Sequence, residues 1–71
     1  MHELTQLDKI KIPNRIRKNI GDLKDLKLSM KILGLLQPIG ITKSYELIFG
    51  ERRLKSAKEL GWRAIDAIII E

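Results

Sequence analysis

The residues of this 71-residue chain best suited to chemistry are four in a row, Gly50-Glu51-Arg52-Arg53, set between an apolar run, Leu47-Ile48-Phe49, and a stretch of helical character. A glycine between a strand and a helix permits backbone conformations closed to other residues and lets a ligand approach the main chain. The first turn of the helix then offers unpaired N–H groups and the positive end of the helix dipole, both of which attract an anion. Arginines oppose that dipole, by about 0.3–1 kcal/mol each when exposed, so Arg52 and Arg53 need a compensating anion. At about 100° per residue, Arg53 projects between Ala57 and Leu60, toward the core stripe, and Arg52 projects from the flank. A guanidinium turned inward must be paired, and bidentate recognition of a phosphate would pair it. Glu51 keeps a second reading open: it can join the arginines in a structural network, or help hold a hydrated magnesium ion beside the phosphates.

Weaker signals surround this one. Gln37-Pro38-Ile39 reads first as a helix-to-strand turn, although the Gln37 amide could read a base or ribose if it lies by the same cleft. Trp62, directly after Gly61, is expected in the core rather than stacked on a base, and Tyr45 at a hairpin tip is open between the two. Asp66 stands alone in a strand and is expected to bond to backbone or to an arginine. Neither a serine–histidine–carboxylate set nor a pair of carboxylates placed as acid and base is visible. With no cysteine and His2 as the one histidine, disulfides, thiolate chemistry and a protein-ligated zinc site are excluded.

The net charge of +5 is uneven. Lys9, Lys11, Arg15, Arg17 and Lys18 follow one another with no acid between them, which suits a polyanion such as DNA or nucleotide phosphate, or a solvated basic face. No apolar run reaches the roughly 18 residues that span a bilayer, and no signal-peptide pattern opens the chain, so the expected location is the cytoplasm.

The elements that would position these residues follow from periodicity. Isoleucine and leucine supply 23 residues, enough for one core, although a chain this short buries only about 60% of its unfolded surface. Residues 7 to 12 alternate, predicting a first strand with Ile10 and Ile12 facing inward before Pro13-Asn14. Leu23, Leu26, Met30 and Leu33 predict a helix over 22–33, with Asp22 as N-cap, Gly34 as its stop, and Leu28 and Ile32 on a second side that meets something else. Two strands are predicted on either side of Lys43-Ser44, with Pro38 at the start of the first or on an edge. A helix over 51–60 has Leu54, Ala57 and Leu60 inward, and a last strand over 64–70 carries isoleucines on both faces, which predicts burial on each side. The order β-α-β-β-α-β gives a single α+β domain with a small mixed sheet.

Three stretches together resemble a known family. Asn14-Arg15-Ile16-Arg17, then Leu33 to Ile39 (Leu-Gly-Leu-Leu-Gln-Pro-Ile), then Leu47 to Lys58 with its Gly-Glu-Arg-Arg box, look like the N-terminal domain of ParB-type proteins, whose fold is shared with sulfiredoxin. The resemblance covers nearly the whole chain. It implies a nucleotide-binding domain, using CTP in partition proteins and ATP in several relatives, with magnesium on the nucleotide. By position, Gly50, Glu51, Arg52 and Arg53 would hold the phosphates, and Gln37, Pro38 and Ile39 would lie by the base or ribose. It also implies a DNA clamp formed by two copies, slow nucleotide hydrolysis at most, association with nucleoid or plasmid, and a partition ATPase as partner, with Arg15 and Arg17 in the communicating region. Lys55-Ser56 departs from the family's usual Arg-Ala. The residues up to Glu71 contain no helix-turn-helix, so this stretch alone is not expected to read a DNA sequence, and without cysteine the sulfiredoxin reaction is excluded.

Two other functions compete with a regulatory nucleotide-binding module. One is a small hydrolase or phosphotransferase in which Glu51 polarises the attacking group and the arginines stabilise phosphoryl charge. The other is a non-specific DNA-binding accessory protein working through the basic 9–18 segment, with salt-sensitive affinity indifferent to Arg53.

Overall fold

A computed structural model describes residues 2–13, 21–34 and 37–70. Strand β1 spans His2–Gln6, helix α1 Lys24–Leu33, β2 Ile39–Ile41, β3 Leu47–Phe49, α2 Glu51–Glu59 and β4 Ala64–Ile69. The strands form one mixed sheet in the order β1-β4-β2-β3: β4 pairs parallel with β2 and antiparallel with β1, and β2 pairs antiparallel with β3. The architecture is α+β in the expected order. Ile39, Ile41, Ile65 and Ala67 of the central strands are buried with Leu54 and Ala57 of α2 and Met30 of α1.

The first strand lies earlier than its alternation predicts. Residues 7–9 instead form a 3-10 turn, in which the Leu7 N–H donates to the Arg63 carbonyl at 2.9 Å and the Ile10 N–H returns to the Leu7 carbonyl at 3.2 Å. Leu7 and Ile10 are three residues apart, so a strand would turn them to opposite faces, whereas one tight turn buries both. Ile12, expected inside, is 36% exposed, and Lys11 keeps a single parallel bridge to Glu46.

The last strand is also corrected. Its residues Ile65 and Ala67 are buried, but Ile68 on the other face is only half-buried, beside the exposed Leu4 of β1. Both helices cover the same side, so the isoleucines of β4 do not mark a strand enclosed on each side.

Helix α1 begins at Lys24, two residues later than expected, with the Asp22 carboxylate accepting the Lys24 N–H at 2.9 Å and the Gly34 N–H closing on the Met30 carbonyl at 2.9 Å. Leu23 and Met30 are buried and Leu26 half-buried, but Leu33, expected on the inner stripe, is exposed at the helix end. Leu28 and Ile32 are 58% and 71% exposed, so nothing among the described residues covers that second side. Pro38 directly precedes β2, where its missing N–H costs no ladder bond.

Candidate functional site

The turn from β3 into α2 is fixed by two contacts with β2. Phe49, the last residue of β3, lies over Gly40 so closely that a side chain at Gly40 would collide with its ring. Gly50 takes φ 96° and ψ 27°, a left-handed conformation that other residues adopt at a cost, and a Cβ there would lie 2.7 Å from Ile39 Cγ2 and 3.2 Å from Ile39 Cα. The start of α2 is thereby pressed against the start of β2, next to Gln37 and Pro38. The first intrahelical bond of α2 runs from the Leu54 N–H to the Gly50 carbonyl, which leaves the N–H groups of Glu51, Arg52 and Arg53 ahead of the ladder, and Gly50 has no side chain to cap them.

Both arginines are engaged by neutral oxygens. The half-buried Arg53 donates through Nη2 to Gln37 Oε1 at 3.0 Å, and the exposed Arg52 donates through Nη2 to the Asp22 carbonyl at 2.9 Å. Among the described residues neither guanidinium has a carboxylate within ion-pair distance, Glu51 included. That Arg53 needs a partner was legible in the sequence, although the bond it makes lies at the surface. Its partner was not: Gln37 read as an incidental turn residue, and its contact with Arg53 depends on the close approach of Gly50 to Ile39.

Beside Arg52, the N-terminal turn of α1 and the outer side of α2 enclose a cleft of about 370 Å³ lined by Asp22, Lys24, Lys27, Lys55 and Glu59. Lys27 Nζ meets Glu59 Oε1 across it at 2.9 Å. The hydrogen bond from Lys27 chiefly holds the Glu59 carboxyl below the usual glutamate value; desolvation opposes it, and the charges of Lys27 and Lys55 add lesser contributions in the lowering direction. A second cleft, of about 320 Å³, lies between Gln6, Asp8, Trp62 and Arg63 and contains none of the turn's residues.

The remaining candidates lie apart from the turn. Trp62 packs half-buried against the core, and Tyr45, at φ 66° in the hairpin, also packs there and places its hydroxyl 3.4 Å from Glu3. Asp66 pairs with His2 Nδ1 at 3.2 Å rather than with backbone or arginine, because β1 lies alongside β4. Lys9 and Lys11 are exposed, while Arg15, Arg17 and Lys18 lie outside the described residues. Among the described residues no three acidic, histidine or cysteine side chains gather closely enough to hold a metal ion, and no helix is long and apolar enough to cross a membrane. Ser56 is fully buried, and among the described residues its hydroxyl has no hydrogen-bond partner.

The fold and turn define a class: a small mixed-sheet α+β domain whose second helix starts on a left-handed glycine followed by paired arginines. The chain belongs to the ParB N-terminal domain family, whose model matches residues 2–71. It is 40% identical over 77 residues to a probable plasmid-partitioning protein ParB of Xylella fastidiosa, covering 99% of this chain and 19% of that protein. It is 39% identical over 66 residues to a nucleoid occlusion protein of Bacillus cytotoxicus, covering 82% of this chain and 23% of that protein. The chain thus spans about a fifth of the length of the curated relatives it matches. Among solved structures, sulfiredoxin from Arabidopsis thaliana superposes over 100% of this chain and 85% of its own, with TM-score 0.88 and 27% identity. The C-terminally truncated chromosome-partitioning protein ParB from Caulobacter crescentus, complexed with CTP-γ-S, superposes over 100% of this chain and 44% of its own, with TM-score 0.87 and 25% identity.

Proposed function

We propose that this domain is the nucleotide-binding regulatory module of a partition or nucleoid-occlusion protein, taking CTP or ATP with magnesium on the phosphates. The observation that carries the reading is the pair Arg52 and Arg53 at the uncapped start of α2, both held by neutral oxygens and neither neutralised by an acid among the described residues. Two guanidinium groups and a helix N-terminus are a fitting donor set for phosphate, and Gly50 keeps side-chain bulk away from the main chain there. The CTP-γ-S complex of the similar Caulobacter protein supports the ligand class. Gly50, Glu51, Arg52 and Arg53 take the phosphates in this reading, with Glu51 reaching magnesium through water, and Gln37, Pro38 and Ile39 face the base or ribose. The names of the relatives support DNA as a further partner of the whole protein.

Titration calorimetry with CTP, ATP, GTP and UTP, each with and without magnesium, tests the reading. A charged hydrogen-bond pair contributes about 1.5–3 kcal/mol, so Arg53→Ala should weaken nucleotide binding by roughly 10- to 150-fold. Equal affinity of the variant and the parent would remove Arg53 from the site. Affinity for DNA that falls with salt and ignores Arg53→Ala, without nucleotide binding, would leave the basic 9–18 segment as the function.

A further inference from the structure

The two box arginines reach away from α2 in different directions, Arg52 to the residues that lead into α1 and Arg53 to the entry of β2. Asp22, whose carbonyl accepts from Arg52, lies just before α1, and Gln37, whose amide oxygen accepts from Arg53, follows it. Between these points α1 packs chiefly on α2, and Lys27–Glu59 adds one polar tie along the seam. The inward apolar contribution of α1 is modest: Met30 and Leu23 are buried and Leu26 is half-buried, while Leu28 and Ile32 face outward. Two of the three described polar ties from α2 to α1 and its flanks are therefore made by the residues proposed to bind phosphate.

An anionic phosphate oxygen is a stronger acceptor for a guanidinium than a neutral carbonyl or amide oxygen, since opposite full charges attract and the pair can be bidentate. We propose that Arg52 and Arg53 form a ligand-released fastening of α1: a phosphate at the start of α2 draws the guanidinium groups away from the Asp22 carbonyl, which frees the start of the helix, and from Gln37 at the entry to β2. This rests on the phosphate reading of the site. The fastening makes α1, with Leu28 and Ile32 exposed on its outer side, the element whose position depends on occupancy. Linkage requires the converse as well, so a partner that holds α1 in its released position raises the affinity for phosphate.

Amide hydrogen exchange of the full chain tests the fastening, with calorimetry run in parallel to read binding. Without ligand, Arg52→Ala should speed exchange at the Lys24 and Lys27 amides of the first turn of α1 by roughly three- to tenfold, with the β2 and β4 amides unchanged. Saturating CTP with magnesium should bring the parent chain toward the same rates. A second variant, Gln37→Ala, leaves both arginines in place and is read with inorganic triphosphate, which has no base or ribose. It should bind that probe several-fold more tightly, because Arg53 no longer has an acceptor to give up. Unchanged exchange in ligand-free Arg52→Ala, or unchanged triphosphate affinity in Gln37→Ala, overturns the fastening. If the parent binds CTP while α1 keeps its protection, the coupling fails and the phosphate site stands. If calorimetry detects no binding of CTP, ATP or triphosphate, both readings fall.

Discussion

The β2–β3–α2 half of the molecule and the segment from β1 to Ile12 are built by different means. In the first, each element is set by its neighbours in sequence: the hairpin brings β3 back to β2, Phe49 settles over Gly40, and Gly50 starts α2 against Ile39. In the second, β1 exists because it pairs with β4, sixty residues away, and the turn after it is held by the Arg63 carbonyl. Local construction places the arginines, while the first strand depends on contacts distant in sequence. The contrast predicts where substitutions will be costly.

The largest effect is expected at Gly50. Alanine there meets the left-handed cost of about 1–2 kcal/mol and a Cβ contact of 2.7 Å with Ile39 whose backbone lies directly behind, so a total loss of about 2–4 kcal/mol is expected. A chain of 71 residues has about 4–10 kcal/mol of stability in all, so Gly50→Ala should lower the chemical-denaturation midpoint sharply. A loss under about 1 kcal/mol would mean that the turn yields easily and that local contacts do not fix it.

Next comes a pair of substitutions within the other half. Ile10→Ala should cost about 2–3 kcal/mol, since Ile10 is buried in the core cluster, whereas Ile12→Ala, at a position 36% exposed, should cost under about 1 kcal/mol. Equal losses would restore the regular strand over 7–12 that alternation predicts.

That strand was misread for a physical reason. Leu7, Ile10 and Ile12 satisfy alternation only in part, and the choice between strand and turn is made by the Arg63 carbonyl, which no local window contains. The His2–Gln6 strand buries only Thr5 and has no apolar alternation to announce it. Helix α2, its glycine start and its inward Leu54 and Ala57 were legible because propensity, spacing and the stop at Gly61 agree locally. For the candidate site, the glycine and the need of Arg53 for a partner could be read from the sequence. The acceptors Asp22 and Gln37 could not, because their roles depend on how α1 lies across α2.

A smaller effect of opposite sign is expected inside α2. Ser56 is fully buried, and its hydroxyl lacks a partner among the described residues, so it retains a desolvation cost without the bond that would offset it. Ser56→Ala removes one oxygen, leaves the helix backbone alone and improves helix propensity, so it should stabilise the domain by about 0.5–1.5 kcal/mol in denaturant titration. Destabilisation would show that the hydroxyl packs usefully between the helices and would make the local half less tolerant than the contacts indicate.

The smallest effect concerns the one polar tie across the helix seam that does not use an arginine. Lys27 donates to Glu59 and holds its carboxyl below the usual glutamate value in the folded chain, with Lys55 adding to the effect. A folded value below the unfolded one means that the unfolded chain takes up the proton first, so this contribution is complete above the ordinary carboxylate range. It is lost as pH falls through that range and on through the lowered folded value. Glu59→Gln should therefore flatten the acid limb of the stability profile slightly and leave its neutral and basic parts parallel to the parent. Because the pair is exposed, the change should be close to the resolution of the measurement and should shrink further in high salt. The bond from Arg52 to the Asp22 carbonyl involves no carboxylate, so loss of the Lys27–Glu59 pair in acid leaves it in place. Exchange at the Lys24 amide should consequently depend on phosphate and on Arg52, and hardly at all on protonation of Glu59, which separates the two ways in which α1 is held to α2.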